Sequence, residues 1–244
     1  MKKIIFVFSM LVSFSVATQA FAEQPIALVY NGPGACLNCW TSAAQSARLA
    51  GFKVKIVNAR LRDYSIFNQA KLWVQPGGNS RAASKAMGSK MLSAIRNFVF
   101  SGGGYVGFCA GAFLSTERVG TTKLEGLGII PGRTELWDKA DGRGRMIDIA
   151  WENDVRSIYY HGGPFIDLNG VSEPSLRITS RYDDGSTNGL TVNYGAGRVA
   201  VTGAHPEASK IWKAMKLVRD RDGSDQPLVV KMMKWAVKDS DIQW

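Results

Sequence analysis

Short apolar runs alternate with helix-spaced segments through the first half of this chain. Ile26-Ala27-Leu28-Val29-Tyr30 is the first run and leads into Asn31-Gly32-Pro33-Gly34. A helix is expected over 40–50, then strands at 52–57 and 72–75, the second ending in Pro76-Gly77-Gly78. Met87, Met91, Ile95 and Val99 recur every four residues and predict a helix over 82–100. Gly102-Gly103-Gly104 stops it, and 105–108 is the next strand. Strand-helix-strand order of this kind implies a parallel sheet joined by right-handed crossovers. Ligands on such sheets bind at the carboxyl ends of the strands. Gly34, Gly78 and Cys109 all fall at that edge.

The second half is less regular. Residues 117–170, with their glycines and prolines, are expected to form loops and short strands over the site. Strands follow at 176–182, 189–194 and 198–202, with Asn193-Tyr194-Gly195-Ala196-Gly197 as a hairpin turn between the last two. Helices over 207–218 and 228–237 complete the pattern. Residues 23–244 therefore read as one α/β domain, long enough to bury a substantial core without staples. Residues 1–22 read as a signal peptide. Lys2 and Lys3 precede an apolar stretch over 4–16 that is too short to span a membrane, and Ala20-Phe21-Ala22 supplies the cleavage signal. A periplasmic or secreted protein is expected, cut near Ala22 and Glu23, with no membrane span after cleavage.

The net charge is +10. A basic surface can meet nucleic acid, anionic lipid or acidic polymers. Here the cations are dispersed. Lys210, Lys213, Lys216 and Arg219 fall three apart and read as a solvated helix face, and Lys231, Lys234 and Lys238 mark another. No nucleic-acid motif accompanies them, so no nucleic-acid partner is expected. Cys36 and Cys39 form a C-x-x-C pair that can bond in an oxidising compartment, do redox chemistry or stay free. A zinc site lacks a second ligand pair. No metal and no cofactor are expected.

Cys109 is left without a neighbouring cysteine, in Gly107-Phe108-Cys109-Ala110-Gly111. Glycines on both sides of a strand-to-helix bend permit a nucleophile elbow. A thiol attacks as the thiolate, and a helix N-terminus or nearby imidazole favours that form. His205, in Ala204-His205-Pro206-Glu207, can supply the imidazole if the last strand lies beside the Cys109 strand. Glu207 can accept the other ring N–H and set the tautomer. An oxyanion needs two donors. The Ala110 N–H is the expected first, and the Gly77-Gly78 turn can present the second. His161, in Tyr159-Tyr160-His161-Gly162-Gly163-Pro164, is open to three readings: a rival base, a lining residue or a structural one.

These motifs resemble the class I glutamine amidotransferase-like superfamily, whose triad is Cys-His-Glu. Within it, the chain looks most like the domain at the N-terminus of eukaryotic biotin–protein ligases, in a stand-alone secreted bacterial form. Five stretches carry the likeness, in order: 29–34, 75–78, 104–111, 159–164 and 203–207. The resemblance implies a three-layer, flavodoxin-like α/β fold with a mostly parallel central sheet. It implies Cys109 as nucleophile, His205 as base and Glu207 as orienting acid. It carries no substrate, because Phe113 stands where glutamine-using members carry glutamine. The expected function is a cysteine hydrolase or amidotransferase-like protein acting on an amide, ester or γ-glutamyl-type bond of a small-molecule or peptide-like substrate. The alternative is a degenerate module of the same fold that binds a small ligand or protein without turnover.

Overall fold

The computed structural model describes residues 23–138, 143–239, 242 and 244. The expected signal peptide, residues 1–22, lies outside them. The first half runs β1 (Ile26–Tyr30), α1 (Leu37–Leu49), β2 (Lys53–Val57), a 3-10 helix (Tyr64–Gln69), β3 (Ala70–Gln75), α2 (Ser80–Phe100), β4 (Gly104–Phe108) and α3 (Ala110–Ser115). The second half runs β5 (Arg133–Leu136), β6 (Arg145–Trp151), β7 (Asp154–Tyr160), β8 (Pro164–Asp167), β9 (Arg177–Arg181), β10 (Thr187–Tyr194), β11 (Gly197–Thr202), α4 (Lys210–Met215) and α5 (Gln226–Ala236).

The strands lie in the order β2-β1-β3-β4-β11-β10-β9-β6-β7, with β8 and β5 attached beside β10. The first five are parallel to one another. From β10 onward the pairing is antiparallel. The sheet is therefore mixed around a parallel core. Alternate residues of the central strands feed the two faces. Leu28, Tyr30, Trp73 and Tyr105 pack with Met91 and Ile95 of α2 on one side. Val29, Leu72, Val74 and Phe108 pack with Ala43 and Ala47 of α1 and Met233 of α5 on the other. Helices cover both faces, so these strands are apolar throughout, as parallel strands buried on both sides must be.

Three sequence expectations change. Residues 117–170 do not merely drape loops and short strands over the site. They include β6 and β7, each of 7 residues, which pair along their whole length and form the far edge of the sheet. Their exposed and buried positions are mixed, which hid their period. The helix expected over 207–218 shrinks to Lys210–Met215. Ser209 caps it by accepting from the Trp212 N–H, and Leu217, at φ 54°, lies beyond its end.

The third change concerns the solvated basic face. Lys213 is buried and donates to Asp220 at 2.6 Å and Asp225 at 3.1 Å. Arg156 of β7 reaches the same Asp225 at 3.2 Å. This network ties the segment after β11 to the sheet. Burial, the largest influence, raises the Asp225 carboxyl above its ordinary range against the pull of Lys213 and Arg156. Removing one member of such a buried set strands the rest. Asp225→Ala is expected to lower the unfolding free energy by about 3–5 kcal/mol, measured by urea denaturation. A loss below about 1 kcal/mol would place the anchoring of this segment elsewhere.

Candidate active site

Cys109 sits between the end of β4 and the start of α3. Its backbone is forced to φ 48° and ψ −99°, outside the regions that L-residues ordinarily occupy. The bend is held from both sides. The Cys109 N–H donates to Thr202 O of β11 at 2.8 Å, and the Cys109 carbonyl accepts from the Phe113 N–H at 3.0 Å. A methyl group at Gly111 would lie 2.4 Å from the Gln75 carbonyl, so β3 and α3 can close on the bend only with glycine there. Strain of this kind costs of order 1–3 kcal/mol and persists only where the surroundings over-determine it. Cys109 Sγ lies 3.7 Å from the carbonyl of His161, to which a thiol donates.

His205 follows β11 and is fixed at three points. Its N–H donates to Tyr159 O at 2.8 Å, and its Nδ1 donates to Glu207 Oε1 at 2.9 Å. Its ring lies edge-on to Trp212, with centroids 5.0 Å apart. With Nδ1 turned to Glu207, Nε2 is left for the sulfur, and Cys109 and His205 line the same cleft. Burial, the largest single influence, disfavours the imidazolium. The negative charges of Glu207 and Cys109 and the hydrogen bonds to both outweigh it, and the pKa rises to about 10. Glu207 itself is fully buried, and its Oε2 has no protein partner.

The Gly77-Gly78 turn packs directly on this pair. A methyl group at Gly77 would sit 2.4 Å from His205 Cε1 and 3.1 Å from Cys39 Sγ. Gly78 has φ 134° and bridges to Ala35. The flanking residues exchange the bonds of that bridge: Cys36 N–H to Gly77 O, and Asn79 N–H to Gly34 O. The Gly78 N–H takes no part in it. Ala110, one residue past Cys109, opens α3.

Gly78, Cys109, His161 and His205 line one cleft of about 560 Å³. Its other wall was not expected from sequence. Leu37 and Asn38 of α1 and Trp212, Met215 and Lys216 in and just after α4 complete it. Cys36 and Cys39, bonded to each other, also line it, so the C-x-x-C pair belongs to the site region. No motif marked Trp212 or Met215. A second cleft of about 320 Å³ shares Gly78 and Gly162 and contains Phe113, Arg81 and Glu135. Among the described residues, no group of three or more His, Cys, Asp or Glu side chains can hold a metal ion, and no helix is long and apolar enough to cross a membrane.

Comparison with known proteins agrees with this architecture. The family described as "Biotin-protein ligase, N terminal" matches residues 26–136. The biotin–protein ligase of Schizosaccharomyces pombe is 29% identical over an alignment of 213 residues that covers 75% of this chain and 33% of that protein. The chain thus spans about a third of that relative's length. PurLQS from Thermotoga maritima superposes with a TM-score of 0.60 at 18% identity, over 86% of this chain and 97% of that one. A protein described as a GMP synthase subunit, from Thermoplasma acidophilum, gives 0.53 at 11% identity, over 86% and 95% of the two chains. The fold is that of the class I glutamine amidotransferase-like proteins, and at these identities the structural likeness speaks for the fold alone.

Two outcomes follow from the geometry. Gly77→Ala drives the His205 ring off its position. Displacements near 1 Å cost about 100-fold in rate, so any Cys109-dependent activity is expected to fall about that much while circular dichroism stays unchanged. Unchanged activity would show that the ring has room to move. The second concerns pH. A histidine raised on folding stabilises fully below its unfolded pKa, and the effect is lost as pH climbs through the folded one. That window runs from about 6.5 to about 10 for His205. Glu207→Gln should flatten the decline of unfolding free energy across it, and equal slopes in the two proteins would refute the assignment.

Proposed function

We propose that this protein is a cysteine hydrolase of the amidotransferase-like fold, secreted or periplasmic, acting on an amide, ester or γ-glutamyl-type bond. The observation that carries the reading is the His205 ring, held by a buried carboxylate in an accessible cleft that the strained Cys109 also lines. A cation beside a sulfur favours the thiolate. The Cys109 thiolate attacks the substrate carbonyl carbon, and the Gly78 and Ala110 N–H groups take the developing oxyanion. His205 gives its Nε2 proton to the leaving group, the C–N or C–O bond breaks, and a thioester remains on Cys109. Neutral His205 then takes a proton from water, which attacks the thioester and releases the acid. Glu207 keeps the ring in the required tautomer throughout. The ligase activity of the yeast relative is not part of this reading, since the shared region is 33% of that protein.

A module that binds without turnover is the second reading. It is favoured by the burial of Cys109, which is 3% exposed, and by its contact with the His161 carbonyl.

Chemical labelling separates the two. Under non-reducing conditions an iodoacetamide adduct is expected at Cys109, and His205→Ala should slow its formation at neutral pH. Cys109→Ala should abolish turnover in a screen of amides and esters with the fold intact, and His205→Ala should lower kcat by about 100- to 10,000-fold. Activity retained in Cys109→Ala would end the hydrolase reading.

A further inference from the structure

The cleft above Cys109 is much larger than the departure of ammonia requires. A water-sized leaving group needs about 30 Å³. The cleft measures about 560 Å³, within the roughly 300–1,000 Å³ of sites that hold whole small molecules. Its walls have a definite chemistry. Leu37 and Met215 stand 70% and 65% exposed, and the buried Trp212 lines the cleft with its ring edge-on to His205. Apolar side chains this exposed at the mouth of a cleft gain on being covered by an apolar group. Lys216 is the one lysine or arginine lining the cleft, and no Asp or Glu lines it. Among the described residues no ion pair engages Lys216. Leu37 and Asn38 open α1, so the same wall carries the positive end of that helix. A free ammonium finds no carboxylate in this lining, whereas a free carboxylate finds Lys216.

We propose that this cleft is a leaving-group subsite for an apolar amino-acid residue with a free carboxylate. The substrate class is then a peptide-like amide, cleaved on the acyl side of an apolar C-terminal residue. Leu37, Trp212 and Met215 cover the side chain, and Lys216 takes the carboxylate. The proposal rests on Cys109 being the nucleophile. The carbonyl carbon bonds to Cys109 Sγ, the amide C–N bond breaks, and the freed amine leaves through the cleft with the proton from His205.

γ-Glutamyl-leucine, γ-glutamyl-leucinamide and glutamine test it, since they share one acyl group and differ in what leaves. Calorimetry on Cys109→Ala reads binding without turnover. Affinity is expected to be highest for γ-glutamyl-leucine, by about fivefold over the leucinamide, as an exposed ion pair contributes. Glutamine should bind at least about tenfold more weakly than γ-glutamyl-leucine, because it covers no apolar wall. Lys216→Glu, added to Cys109→Ala, should erase the first difference. Leu37→Asp or Met215→Asp should shrink the second. All three residues are exposed, so the fold tolerates the changes. Equal affinities, no binding of γ-glutamyl-leucine, or no effect of Lys216→Glu would overturn the subsite. Wild-type turnover separates this from the broader reading. Selective binding without hydrolysis leaves the carboxylate-bearing ligand site standing but overturns its leaving-group role together with the hydrolase. Cys109-dependent hydrolysis of all three with no binding preference keeps the hydrolase and removes the subsite.

Discussion

The parallel pairing of β4 with β11 is the constraint on which the site depends. The two strands run in register from Gly104 opposite Arg198 to Phe108 opposite Thr202. The ladder then passes one step further, through the Cys109 N–H to the Thr202 carbonyl. Cys109 and the loop holding His205 thus leave the sheet side by side at its carboxyl edge. Nothing local could join them, because the antiparallel strands β6, β7, β9 and β10 and much loop lie between them in the chain. Parallel ladders demand long crossovers, and this one uses its crossover to build the far half of the sheet.

Burial makes the arrangement demanding. His205 and Glu207 are almost wholly removed from water, and a charge in such a place needs a partner on every side that counts. Glu207 holds one ring nitrogen, the charge of Cys109 favours the imidazolium, and the Tyr159 carbonyl pins the backbone. Gly77 fits under the ring because it has no side chain. The second layer is electrostatic as well. Lys213, Asp225 and Arg156 tie the segment that carries Trp212 to β7, so the cleft wall stands on a buried ion network and not on a long helix.

Much of the parallel half was legible in the chain. Strands buried on both faces read as continuous apolar runs, so β1, β3 and β4 were visible with their glycine turns, and the four-residue spacing of Met87, Met91, Ile95 and Val99 marked α2. The antiparallel half was harder. In β6 and β7 exposed residues mix with buried ones, and partners set by tertiary pairing, not local period, decide their length. Lys213 misled for a related reason. Its spacing matched a wet helix face, but two carboxylates from the following loop draw it inside.

The sequence by itself determined the βα order, the glycine-flanked position of Cys109, and the two-residue spacing that lets Glu207 reach back to His205. These are local, set by backbone sterics and short-range periodicity. Only the tertiary structure decided the rest. It brought Leu37 and the bonded Cys36 and Cys39 into one cleft with Trp212, Met215 and Lys216, and turned the His161 carbonyl onto the sulfur. Those residues come from the ends of separate elements. Their meeting is set by which strands pair and how the helices pack on them, a relation between distant segments that no stretch of sequence encodes alone.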